Sequence, residues 1–184
     1  MIGVLVSGEG SNLQALLDAG LPVVAVVSSK PGVPALERAS EAGVETRVFA
    51  IADAPTRETR DTAMAAWLAE RGVELVVTAG FMELLRAPFL ERFPDRIVNV
   101  HPALLPEFPG RRPVERALAA GVRRTGVTVH LVDEGADTGP ILLQEAVPVA
   151  KGDTVETLRQ RIQTVEHRLL PQAVHALLAE RVPA

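Results

Sequence analysis

Leu17-Asp18-Ala19-Gly20-Leu21-Pro22-Val23-Val24-Ala25-Val26-Val27 joins the end of a helical segment, a glycine and an almost unbroken apolar run. A glycine just past a helix takes the left-handed conformation that ends it. A short, β-branched, nearly continuous apolar run reads as a strand buried on both faces. The same device recurs at Glu41-Ala42-Gly43 before Val44 to Phe49, at Glu70-Arg71-Gly72 before Glu74 to Thr78, and at Gly121 before Thr125 to Leu131. With an opening strand from Ile2, this alternation implies a parallel sheet covered on both faces and joined by right-handed crossovers. The expected fold is a Rossmann-like α/β domain with a mostly parallel, twisted sheet of about seven strands.

Ile97-Val98-Asn99-Val100-His101 would be the fifth strand in sequence. Beyond it, Thr125 to Val132 and Ile141 to Val149 predict two further strands, antiparallel, around a loop rich in Gly and Asp. Val155, Leu158, Ile162, Val165 and Leu169 follow the spacing of one helix face, so a long helix is expected from about Thr154, with Pro171 kinking or restarting it. No linker or repeat interrupts the chain, and 184 residues suit one domain, 1–184, with a substantial core.

A net charge of −4 with 47% hydrophobic residues fits a soluble globular protein, and it argues against a nucleic-acid binder, which would show a basic face. With no cysteine there is neither a disulfide scaffold nor a thiolate metal site. Met1 to Val6 carry no basic start and are too short for a signal or a membrane span. A cytoplasmic protein without a membrane partner is expected. Asn occurs only at Asn12 and Asn99 in a chain rich in Arg, Ala and Pro. A composition that sheds labile side chains marks the two it keeps as candidates for chemistry.

Asn99 and His101 share one face of their strand, placing a neutral donor beside a titratable imidazole. The stretch that follows, through Pro102, Pro106 and Pro109 to Gly110, reads as a rigid loop. Ser7-Gly8-Glu9-Gly10-Ser11-Asn12 leads from the first strand into a helix and suits either a phosphate or a capped turn. It lacks the ending of a P-loop. Leu13 stands where a dinucleotide fingerprint has its third glycine, although Ser28-Ser29-Lys30 could still meet a 2′-phosphate. Asp133, Glu134 and Asp137 form either a solvated turn or, through Asp137 and His101, a proton relay. Gly80 to Leu85 form either an apolar wall for a flat heteroaromatic ligand or the packing of the next helix.

Taken together, Val6-Ser7-Gly8-x-Gly10-Ser11-Asn12-Leu13-Gln14, Ala79-Gly80-Phe81-Met82, Asn99-x-His101-Pro102-x-Leu104-Leu105-Pro106-x-Phe108-Pro109-Gly110 and Val129-His130 to Asp137 with Gly139-Pro140 resemble the phosphoribosylglycinamide formyltransferases, folate-dependent enzymes of purine synthesis. Gln144 to Val149 and Glu166-His167 extend the likeness through nearly the whole chain. The resemblance implies that Asn99, His101 and Asp137 are catalytic, and that Gly10, Ser11 and Asn12 hold the ribonucleotide phosphate. It places Gln163, Thr164, Val165 and Glu166 near the ribose. Arg57, Met82, Glu83, Leu84, Leu85 and Asn99, with Asp133, Glu134, Gly135, Ala136 and Asp137, would meet 10-formyltetrahydrofolate, the co-substrate.

The other substrate would be glycinamide ribonucleotide, the assembly a monomer or homodimer, and no metal is required because the imidazole supplies the electrophilic help. Ala103, Glu107 and Arg111-Arg112-Pro113-Val114 depart from the family, which often has Ser, Lys and His there. Formyltetrahydrofolate deformylases and methionyl-tRNA formyltransferases share the Asn, His and Asp pattern but usually carry an additional domain. An NADP-binding oxidoreductase and a non-catalytic binding module are the remote alternatives.

Overall fold

The structure, a computed structural model, describes residues 1–179. It separates into two compact units, Met1–Asn99 and Val100–Ala184. The seven strands are ordered β3-β2-β1-β4-β5-β6-β7, where β5 (Ile97–His101) contains the boundary.

In the first unit, β1 (Ile2–Val6), β2 (Val23–Ser28), β3 (Glu45–Val48) and β4 (Leu75–Thr78) alternate with α1 (Ser11–Asp18), α2 (Pro34–Glu41) and α3 (Arg57–Glu70), and the short α4 (Ala87–Arg92) leads into β5. Every strand pair within it is parallel, as the helix–glycine–strand pattern predicts. Gly20, Gly43 and Gly72 end α1, α2 and α3 with φ of 67°, 70° and 69°. The expectation of strands buried on both faces holds for β1 and β4 but fails for β3, most of which is exposed. That strand is the edge of the sheet, and the charged Glu45 and Arg47 that interrupt its apolar run are what an unpaired edge tolerates.

The order reverses between β1 and β4, and the carboxyl ends beside such a switch point are where open α/β sheets bind ligands. There, Arg60 of α3 is 2% exposed and holds Asp61, itself fully buried, through Nε and Nη2 at 2.8 and 2.6 Å. Its Nη1 pairs with Glu83, and the Arg86 N–H donates to Asp61 Oδ2 at 2.7 Å. This ion cluster ties the 79–86 segment down to α3.

In the second unit, α5 (Pro113–Ala119) precedes β6 (Arg124–Leu131) and β7 (Ile141–Pro148), an antiparallel pair with a register shift between Val129 and His130. A Cβ on Gly126 would stand 2.2 Å from the Glu145 carbonyl and 2.4 Å from Leu104 Cδ2, so both β7 and the proline-rich loop close over that position. The final helix, α6 (Val155–Ala179), runs through Pro171. The expected restart is absent because Leu169, Leu170, Ala173 and Val174, buried on both sides of the proline, hold the helix in register.

Arg60→Leu leaves Asp61 as a buried charge without its cation, and such breaks cost about 3–5 kcal/mol. Urea denaturation should show a loss of this size. Arg60→Leu/Asp61→Leu should recover part of it, since the groups then left without their partners are the Arg86 N–H and the partly exposed Glu83 carboxylate.

Candidate active site

At the switch point the polar groups are already engaged with one another. Ser7 Oγ lies 2.7 Å from Ser29 Oγ and accepts the Met82 N–H at 3.1 Å, joining the ends of β1 and β2 to the segment after β4. Ser28 Oγ donates to the Lys30 carbonyl at 2.6 Å and accepts the Lys30 N–H at 3.1 Å. The hydroxyls of Ser28 and Ser29 are thus engaged within the protein, while the Lys30 side chain is exposed.

Gly10 caps α1 with φ of 74° and no side-chain bond. A Cβ there would lie 2.6 Å from Ala35 Cβ. The glycine is therefore required by the packing of α2 against the turn, a reason independent of any phosphate. Ser11 and Asn12 open α1, and Arg38 of α2 reaches back to donate to the Glu9 carbonyl at 2.9 Å. Arg38 is a cation near this turn that the sequence pattern did not mark.

Asn99 lies beside Thr78 of β4, whose hydroxyl donates to Asn99 Oδ1 at 2.7 Å. Of the other residues assigned to folate in this unit, Arg57 is exposed at the start of α3 and Leu85 is half-buried. Glu83 spends its carboxylate on Arg60. Met82 and Leu84 are 62% and 55% exposed, a pair of apolar side chains held in water.

The second unit concentrates the titratable groups. His101 is buried at the end of β5, and its Nε2 donates to the Phe108 carbonyl at 2.9 Å. Its Nδ1 stands 3.4 Å from Asp137 Oδ2, the oxygen that also accepts the Gly110 N–H at 2.7 Å. Asp137 Oδ1 stands 3.5 Å from His130 Nε2. Thr128 anchors the loop between, donating to the Ala103 carbonyl at 2.7 Å and accepting the Leu105 N–H at 3.1 Å. Gln144 adds a bond to the Leu105 carbonyl, and Arg116 one to the Pro109 carbonyl.

The acidic loop divides between its two readings. Asp133 Oδ1 accepts the Gly135 N–H and the Thr138 hydroxyl at 3.0 and 2.7 Å, closing the turn on itself, while Glu134 and Ala136 are exposed. Asp137 instead turns inward at φ of 59°, a conformation that a residue with a side chain seldom adopts without local need. Side chains at 135 and 139 would collide with Thr138 Oγ1 at 2.0 Å and the Leu131 carbonyl at 1.9 Å. Those glycines allow the pinch that aims Asp137.

Gln163, Thr164, Val165 and Glu166 occupy consecutive places on α6, each turned about 100° from the last. Glu166 is buried, and exposed Thr164 bonds back to the Gln160 carbonyl at 3.1 Å. Among the described residues no group of three His, Asp or Glu side chains is arranged to hold a metal ion, and no helix is long and apolar enough to cross a membrane.

Burial pushes the His101 ring below the ordinary imidazole value of 6.5, and the Phe108 carbonyl and Asp137 only partly oppose it. For Asp137, burial acts upward. The His130 ring, the Gly110 N–H and the His101 ring outweigh it and hold the carboxyl below its ordinary value. A neutral imidazole beside an ionised carboxylate can give and take a proton near neutral pH.

The chain is similar to known proteins over nearly its whole length. The formyl transferase family matches residues 1–174. The phosphoribosylglycinamide formyltransferase of Mycobacterium tuberculosis is 50% identical over 184 residues, covering 97% of this chain and 85% of that protein. The trifunctional purine biosynthetic protein adenosine-3 of Drosophila pseudoobscura pseudoobscura is 47% identical over 97% of this chain, which spans only 14% of that protein's length. Among solved structures, glycinamide ribonucleotide transformylase 1 from Symbiobacterium toebii superposes with a TM-score of 0.96 at 47% identity, covering 100% of this chain and 89% of that one. The chain belongs to the formyl transferase family.

Proposed function

We propose that this chain, read as one formyltransferase domain over 1–184, is a phosphoribosylglycinamide formyltransferase. It moves the formyl group of 10-formyltetrahydrofolate to the amine of glycinamide ribonucleotide in the cytoplasm. The observation that carries this reading is the inward carboxylate of Asp137, set against His101 and bonded to Gly110 while its neighbours Asp133 and Glu134 stay in the turn.

In the proposed reaction the amine lone pair attacks the formyl carbon and forms the new C–N bond. The tetrahedral intermediate then breaks its bond to the folate nitrogen, which keeps the electron pair. One proton passes from the amine to that nitrogen, and nothing is oxidised or reduced. Asn99 gives its NH2 to the developing oxyanion, and His101 gives it the N–H now held by the Phe108 carbonyl, so substrate entry exchanges one acceptor for another. Asp137 takes the amine proton and returns one to the departing nitrogen.

Gly10, Ser11 and Asn12 hold the phosphate, with Gln163, Thr164, Val165 and Glu166 assigned to the ribose. Arg57, Met82 to Leu85 and the 133–137 loop meet the folate, where the exposed Met82 and Leu84 support an aromatic contact.

Purified protein given both substrates should release tetrahydrofolate, and omission of either should abolish release. Release without the nucleotide would instead identify a deformylase.

Asn99→Ala should lower kcat on the order of 10²–10³ with little change in either KM, the usual effect of losing one oxyanion donor. Thr78→Val should reproduce part of that loss by freeing the amide, and Thr78→Ser should restore the rate. Steady-state kinetics at saturating substrates separates these cases from a general loss of fold.

His101 works neutral and Asp137 works ionised, and both fold into environments that lower their pKa. The acid limb of log kcat should therefore lie below 6.5, with a plateau above it. Because the unfolded chain binds protons at these groups more readily than the folded one, stability should also fall on acidification. A pH–rate series alongside thermal melting checks both, and Asp137→Asn should lower the plateau and displace the limb.

A further inference from the structure

His130 is a buried titratable side chain to which the transfer proposed above assigns no task. It is 2% exposed on β6, and its Nδ1 meets the Leu131 carbonyl at 2.8 Å. A carbonyl oxygen only accepts, so this nitrogen carries the hydrogen. His101 repeats the arrangement with its other nitrogen, since Nε2 must carry the hydrogen it gives to Phe108. Each ring then offers an N–H to Asp137 only while it holds a second proton. The carboxylate faces one imidazole from each of its oxygens, at 3.4 Å on the His101 side and 3.5 Å on the His130 side. One added proton converts a contact between lone pairs into a charge-assisted hydrogen bond, and it can settle on either side.

We propose that His130 is a positioning residue that fixes the second oxygen of Asp137 and shares with Asp137 and His101 the one proton moved during formyl transfer. This inference rests on the reaction proposed above. The amine gives up one proton and the departing nitrogen gains one, so the carboxylate needs to hold a single proton between the two events. While it does, His130 keeps the carboxyl plane from turning about its side-chain bond, and the proton leaves along the path by which it came. The groups that act on this unit are Asp137 from the 131–140 loop, His101 from β5 and, through His101, Arg116 from α5.

Two variants separate positioning from packing. His130→Asn keeps an N–H within reach of the Leu131 carbonyl but is too short for Asp137. His130→Gln reaches Asp137 with an N–H that cannot titrate. The Asn variant should lose on the order of tenfold in kcat, well below the about 10²–10⁴ that a direct general acid or base contributes. Both KM values should be unchanged, and the acid limb of the pH–rate profile should move to higher pH, because Asp137 loses a group that holds its carboxyl down. The Gln variant should bring the limb most of the way back. A limb that stays in place in both variants would mean that His130 only packs β6, and the proposal would fall.

A readout without substitution comes from NMR titration of the unsubstituted protein: the His130 Nε2 and Asp137 Cγ signals should move together, and independent movement overturns the proposal. Formyl transfer by the unsubstituted protein is measured first, so a failure of the reaction itself is told apart from a failure of His130's role.

Discussion

The bond from the Gly110 N–H to Asp137 is the constraint on which the titratable centre depends. A carboxylate on a hairpin loop would ordinarily face water, as Glu134 does. Asp137 is drawn inward because a main-chain donor on a different loop takes one of its oxygens, and that donor is in place because Thr128, Gln144 and Arg116 hold carbonyls on both sides of the proline-rich segment. The left-handed backbone at Asp137 and the bare glycines at 135 and 139 are the local conditions of that bond. Each is unfavourable or restrictive alone, and together they are stabilised by a charge-assisted contact that a solvated turn would lack.

The first unit solves a related problem with side chains. Hydroxyls at the ends of β1, β2 and β4 serve as the connectors: Ser7 holds the Met82 backbone, and Thr78 holds the oxygen of Asn99. The buried pair of Arg60 and Asp61 then fixes the segment bearing Met82 and Leu84, so that two exposed apolar side chains stay exposed without collapsing onto the core. Rigidity at this edge comes from polar contacts because the hydrophobic core ends where the strands end.

Much of the fold was legible because it follows from glycine and apolar runs, which act locally. Gly20, Gly43 and Gly72 end helices where the pattern put them, and β6 and β7 pair antiparallel as expected. The exposure of β3 was signalled only by Glu45 and Arg47 within its apolar run, while its edge position follows from strand order. At Pro171 the restart, one of the two expected outcomes, gives way to tertiary packing on both sides of the proline. Of the residues proposed for the chemistry, Asn99 and His101 stood out by residue type and Asp137 by its place in the acidic loop. Thr78, Arg38 and the ion cluster around Arg60 did not, because their roles lie in partners distant in sequence. The dual role of Gly10, spatial as well as conformational, required knowing that Ala35 lies against it.

The groups that orient His101, His130 and Asp137 most directly are the Phe108 carbonyl, the Leu131 carbonyl and the Gly110 N–H, all of them main chain. Substitution cannot delete a peptide oxygen, so the side chains of that loop are released to drift as long as its path is kept. Glu107, Arg111 and Arg112 are exposed on the segment around Phe108 and Gly110, and neither the carbonyl nor the N–H supplied there depends on which side chains those three positions carry.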